Sequence, residues 1–248
     1  METDIRIRAF RATDDQDTCI KFIEGHRKVL SIYGIENITT NSDTWMYSRS
    51  IFVIVVESLD GEKIFGGVRL QCADGIIPLP IEEAVGKMDP KVIEIVKESS
   101  LNGAAEISGL WNSKEVAGLG IGSFFPSRAT FVIAEQLGID TFFALCAPAT
   151  VRFNQWLGSK TLKRIGNNGT FYYPKLDLIA TACIHEDLGE LRDAHLREKE
   201  KIMFLRKNLD CIINEKSIFK NIRVNVHYDL KIKSADINEF KLKLSKQL

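Results

Sequence analysis

The chain has 248 residues, 45% of them hydrophobic and 27% charged, with a formal net charge of zero. That balance gives no general electrostatic pull toward nucleic acid or an anionic membrane, and the longest apolar runs, such as IFVIVV at Ile51 to Val56, are too short to span a bilayer. The five cysteines (Cys19, Cys72, Cys146, Cys183, Cys211) form no C-x-x-C pair, and the four histidines lack metal-ligand spacing. They read as reduced, mostly buried thiols in a cytoplasmic protein with no metal site.

The opening METDIRIRAFRATDD is charged and holds no apolar signal core, which fits a cytoplasmic location. Within it DIRIRAF alternates as a strand does. DDQDTCIKFIEGHRKVLSIYG follows with an acidic start and apolar residues at helical spacing. SIFVIVVES, LDGEK and IFGGVRLQC predict a hairpin turning at Asp60-Gly61. LPIEEAVGKM and PKVIEIVKESS predict two short helices divided at Asp89-Pro90, and GAAEISGLW a fourth strand.

After that strand, EVAGLGIGS places Gly118, Gly120 and Gly122 two residues apart at the mouth of a helix over Phe124 to Leu137, which stops at Gly138. DTFFALCA is a buried strand, TVRFNQWLG a short helix, and TLKRIG and LDLIATACI two further strands around the turn GNNG. Strands interleaved with helices predict a mixed sheet covered on its faces.

From Asp187 the charge balance turns from slightly acidic to slightly basic. EDLGELRDAHLREKEKIMFLRKNLDCII predicts one long helix, with Leu188, Leu191, His195, Ile202, Leu205, Leu209 and Ile212 on a stripe broken by Glu198. Such a stripe packs on the domain or on a second copy in a homodimer; it is too short-lived for a coiled coil. The expected organisation is a domain over 1–186 and a helical extension over 187–248.

Glycines at a helix start let a backbone approach closely, and the free N–H groups there attract anions. A dinucleotide fingerprint needs G-x-G-x-x-G, whereas Ser123 follows Gly122 here, and a P-loop needs Gly-Lys-Ser/Thr, which is missing.

EISGLWNSKEVAGLGIGSFF, with VRFNQWLGS further on, resembles the GCN5-related N-acetyltransferase (GNAT) superfamily. In that family a strand feeds a glycine-rich loop and a helix that hold the pyrophosphate of acyl-CoA. The resemblance covers about residues 4 to 186 and implies the acyl-CoA N-acyltransferase fold: α/β, with a mixed, mostly antiparallel central sheet flanked by helices. It implies a donor site at Leu110, Trp111 and Asn112 on the strand and Ala117, Gly118, Leu119, Gly120, Ile121, Gly122 and Ser123 in the loop. Acetyl-CoA or a longer acyl-CoA would be the donor, with no metal, and a small amine or amino acid the acceptor.

GHRKVLSIYGI, GGVRLQ with LPIEEA, and AAEISGLW further resemble the acyl-homoserine-lactone synthase and N-acyl amino acid synthase branch. That likeness implies functional roles for Arg69 and Glu106, with Arg27 as a match for an N-terminal Arg, and admits an acyl-carrier protein as donor. Glu106 would be the general base and Arg69 the grip on an acceptor carboxylate. Three positions depart from the pattern. Gly109 stands where the branch has Arg, Asn154 where the family often has an acidic Tyr, and Ala117 where the loop usually has Arg or Gln. Asn154 can hydrogen-bond CoA but supplies no proton. Tyr172, Tyr173 or water would do so, or the thiolate leaves unassisted. Lys114 partly substitutes for the missing loop cation. Three functions follow: an N-acyltransferase, a long-chain N-acyl amino acid or autoinducer-type synthase, and a catalytically inert acyl-CoA-binding protein.

Overall fold

A computed structural model describes residues 3–32, 34–35, 43–217, 220 and 222–242. In chain order the elements are β1 (Thr3–Arg11), α1 (Gln16–Ile32), β2 (Ile51–Glu57), β3 (Ile64–Cys72), α2 (Pro80–Val85), α3 (Lys91–Ser100), β4 (Ala104–Asn112) and α4 (Phe124–Gln136). Then come β5 (Thr141–Cys146), α5 (Pro148–Trp156), β6 (Lys160–Thr161), β7 (Thr170–Tyr172), β8 (Ile179–His185), α6 (Leu196–Lys207), β9 (Asp210–Lys216) and β10 (Arg223–Asp229). The chain resolves into two compact units.

The first unit comprises Met1–Leu70, Gly109–Ile133 and Glu200–Ser234. Its strands run in the order β9, β10, β1, β2, β3 and the end of β4. β2 is antiparallel to β1, with Ile7 opposite Val56, and β10 is parallel to β1, with Ile5 opposite Val226. Every residue of β2 is buried, so this strand is covered on both faces, as a continuous Val/Ile run requires. On one face its odd-numbered residues Ile51, Val53 and Val55 pack with Phe22 and Ile23 of α1 and with Trp45, Met46 and Trp111. The β2–β3 turn has the expected form, with Gly61 at φ 74°.

The second unit comprises Gln71–Ser108, Ala134–Lys199 and Ala235–Leu248. Its strands run β4, β5, β8, β6, with β7 paired to β8. Its core sets Leu79 at the N-cap of α2, Ile81 and Val85 from α2, and Val92, Ile95 and Val96 from α3, against Ala104, Phe143, Ala182 and Ile184 of the sheet. The parallel pairing of β4 with β5 lasts three residues and stops at Glu106 opposite Phe143, so Ala144 to Cys146 run on without a β4 partner.

Two local expectations change. TLKRIG holds only the two-residue β6 before turning, and β7 forms in the TFYY stretch, where Asn168 and Gly169 take left-handed backbone at φ 52° and 88°. The long tail helix is broken up. Asp187 and Leu191 adopt φ 65° and 52°, which helical backbone excludes, and α6 begins only at Leu196. His195 sits exposed before it, its Nδ1 accepting the Arg197 N–H at 3.3 Å. Beyond Lys207 the stripe belongs to a strand: Ile212 is 66% exposed, while Glu215 is buried. Among the described residues the tail thus contributes one helix and two strands, and each compact unit takes residues from both sides of residue 186.

Candidate active site

The glycine loop lies in the first unit and leaves β4 at Asn112. The chain there makes a short 3-10 turn over Lys114–Val116, then Gly118 and Gly120 adopt φ 74° and 75°, a conformation that costs other residues about 1–2 kcal/mol. Gly122 is required for a different reason. A Cβ there would run into the side-chain oxygen of Asn112 and come within 3.0 Å of the Phe65 carbonyl. From across β3, Gly66 lies so close that its Cβ would stand 2.5 Å from the Gly122 carbonyl oxygen. The pair Gly66-Gly67 was open to view in the sequence, but nothing local tied it to the loop.

These turns leave donors unused. The Gly120 carbonyl accepts the Phe124 N–H at 2.9 Å and opens α4. Among the described residues no acceptor takes the N–H of Gly118, Gly120, Ile121, Gly122 or Ser123. Beside them, Asn112 Oδ1 and Ser113 Oγ are buried and have no hydrogen-bond partner among the described residues. A buried unpaired acceptor costs about 1–3 kcal/mol. Five unpaired N–H groups just before a 13-residue helix suit an anion. The Asn112 oxygen suits an N–H donor such as a pantetheine amide. The expected donor-site residues lie at the end of β4 and in the loop that follows it.

Also in the first unit, an aromatic cluster stands under α1. Phe22 meets Trp45 and Trp111 edge-on, each at 5.9 Å between ring centres, and the Arg69 guanidinium lies 5.2 Å over the Trp45 ring. Gly25 abuts the Trp111 ring, which leaves no room for a Cβ. Both indole N–H groups are buried without an acceptor among the described residues. Gly109, in the place of the branch's Arg, has φ 59°, so the backbone itself disfavours Arg at that point. His26 joins this cluster 6.3 Å from the Phe22 ring. Burial first, then the charges of Arg69 and Arg27, push its pKa down to about 4. Nothing in its sequence spacing marks it, because the groups that surround it come from several elements.

The second unit holds Glu106 and Asn154. Glu106 is 2% exposed, and its Oε2 accepts the Ile81 N–H at 2.6 Å at the start of α2. Asn154 is also buried and directs its amide nitrogen to Cys146 Sγ at 3.2 Å and to the Thr150 carbonyl at 3.1 Å. It thereby ties α5 to the end of β5. The Cys146 thiol is held well above its ordinary pKa, first by its hydrogen bond with Cys183 and then by burial, the reverse of what a nucleophile needs. Tyr172 is exposed and Trp156 is 41% exposed, its ring 5.0 Å from His195. No group of three or more His, Cys, Asp or Glu side chains is placed to hold a metal among the described residues. None of the described helices is long and apolar enough to cross a membrane.

No family model matches the sequence, and no curated protein matches it. Solved structures do. FeeM, an N-acyl amino acid synthase from uncultured soil microbes, superposes with a TM-score of 0.58 at 17% identity, over 79% of this chain and 97% of its own. BjaI, a CoA-dependent acyl-homoserine lactone synthase solved with SAM and isopentyl-CoA, gives 0.54 at 12%, over 82% and 90%. A mosquito arylalkylamine N-acetyltransferase-like protein gives 0.50 at 13%, over 74% and 100%. The chain therefore has the GNAT-like fold that these structures share.

Proposed function

We propose that the chain is an N-acyltransferase that moves an acyl group from acyl-CoA to the amine of a small molecule or amino acid. The observation that carries this reading is the set of five unpaired amides from Gly118 to Ser123 at the head of α4. A diphosphate without a metal needs several N–H donors at once, and this turn offers them with the favourable end of the helix dipole. Asn112 Oδ1, with no partner of its own, would take a pantetheine amide.

In the reaction the amine nitrogen attacks the thioester carbonyl carbon, a C–N bond forms, and the C–S bond breaks to release CoA thiolate. The ammonium proton goes to Glu106 as general base. One of its oxygens already binds the Ile81 amide, which fixes the carboxylate in place. The thiolate leaves unassisted or takes a proton from water or a nearby tyrosine. Arg69, braced over Trp45, would hold the acceptor's carboxylate.

A long-chain N-acyl amino acid synthase is the second reading, supported by FeeM having the highest TM-score of the three solved neighbours described above; an acyl-carrier protein would then be an alternative donor. An inert acyl-CoA binder is the third. Incubation with acetyl-CoA, a long-chain acyl-CoA and a pool of amines, read as free-thiol release, separates them. Thermal stabilisation by CoA without thiol release means a binder. Release only with the long-chain donor means the synthase, and absence of both effects rejects the proposal.

A further inference from the structure

The loop's missing cation comes, we infer, from the C-terminal segment: Lys220, at the turn between β9 and β10, is a phosphate-binding residue of the donor site. This rests on the acyl-CoA reading above. Ala117 provides no charge where the family's loop usually carries Arg or Gln. Within the same unit, however, the Lys220 side chain reaches Gly118, its Cε 4.0 Å from where a Cβ on that glycine would stand. Among the described residues no carboxylate takes its ammonium group. Its charge is therefore available at Gly118, the first of the residues whose amides are unused.

The turn that presents Lys220 is held from within. Ser217 Oγ donates to the Lys220 carbonyl at 2.6 Å and accepts the Lys220 N–H at 3.1 Å, while the Ser217 N–H reaches the Ile222 carbonyl at 2.8 Å. The hairpin is in turn locked to the loop's own helix. Arg128 of α4 binds Glu215 of β9, and the Tyr228 hydroxyl of β10 donates to the same carboxylate. The hairpin that bears the cation and the helix that follows the amides are thus joined by a buried ion pair. A lysine suits the task, since its ammonium is a compact point charge that pairs with phosphate without a fixed fork.

The test is isothermal titration of the full chain with CoA and with inorganic pyrophosphate, and chemical-shift titration with pantetheine, which lacks the diphosphate. Lys220→Met should raise the Kd for CoA and for pyrophosphate about tenfold, flatten the salt dependence of both, and leave pantetheine unchanged. Lys220→Arg should restore most of the affinity. Lys216→Met removes the same charge from the same hairpin and should do neither. Equal affinities in wild type and Lys220→Met overturn the inference, as does an equal loss for pantetheine. A wild-type chain that binds pyrophosphate but not CoA sinks the donor reading and leaves Lys220 to be judged on pyrophosphate. Binding of neither overturns both.

Discussion

Arg128 and Glu215 form an ion pair withdrawn from water: Nη1 lies 2.9 and 2.8 Å from the two carboxylate oxygens, and the side chains are 0% and 3% exposed. Lys201 adds a second cation at 2.8 Å. Breaking a buried pair from one side strands a charge and costs about 3–5 kcal/mol. Glu215→Gln is therefore expected to lower the urea midpoint sharply, whereas the triple variant Arg128→Met/Glu215→Leu/Tyr228→Phe should recover most of the loss. If the single variant unfolds at the wild-type midpoint, the pair is not a stabilising contact.

The same pair sets an acid limit. Burial alone would raise the Glu215 carboxyl, but the charges of Arg128 and Lys201, with hydrogen bonds from Lys201 and Tyr228, outweigh it and hold the pKa below the usual value of 4.5. A depressed carboxyl stabilises the fold fully above its unfolded pKa, and that contribution is lost as pH falls through the folded one. Wild-type stability should thus decline below about pH 4.5, and part of that decline should vanish in Glu215→Gln.

Two glycines should rank differently when changed to alanine. Gly118 has left-handed backbone and room for a methyl group, with Lys220 Cε at 4.0 Å from its position, so Gly118→Ala should cost about 1–2 kcal/mol from backbone strain. Gly66 would meet the carbonyls of Gly122 and Trp111 at 2.5 and 2.7 Å, backbone atoms that cannot turn aside. Gly66→Ala should cost about 3 kcal/mol and should weaken CoA binding as well, because the loop itself must shift. Midpoints from urea titration and the Kd for CoA decide the order.

The glycine loop was legible because its signal is local: a strand, three glycines and a helix follow one another between Ala104 and Gln136. The mixed sheet and the break between α2 and α3 were legible for the same reason. The tail strands were not. β9 turns Ile212 outward and buries Glu215, inverting the hydrophobic pattern on which periodicity depends, and β10 finds its parallel partner β1 some 220 residues away. The cluster of Phe22, His26, Trp45, Arg69 and Trp111 is gathered from several elements, so no spacing could announce it. Glu106 was read as the general base, and the fold also uses it to accept the Ile81 N–H in the first turn of α2.

That double use sharpens the expectation for Glu106. Glutamine keeps an oxygen to accept the Ile81 N–H but cannot take a proton. Glu106→Gln should therefore retain the wild-type melting temperature and Kd for CoA while kcat falls by roughly 10²–10⁴-fold. Glu106→Ala should also lose stability. Undiminished turnover in Glu106→Gln would remove Glu106 from the chemistry and leave it a helix-capping residue.

His26 yields the last expectation, and its sign follows from burial. With a folded pKa of about 4 against about 6.5 unfolded, the imidazole stays neutral inside the cluster while the unfolded chain binds a proton. The fold holds this contribution in full above pH 6.5 and loses it progressively between 6.5 and 4, by about 3 kcal/mol at the limit. His26→Phe keeps a ring against Phe22 and removes the titrating nitrogens. Wild type and variant should differ in the slope of unfolding free energy against pH across that window, the variant being flatter, and they should run parallel above pH 7. Parallel lines throughout would mean that water reaches the ring and that α1 does not seal the aromatic cluster.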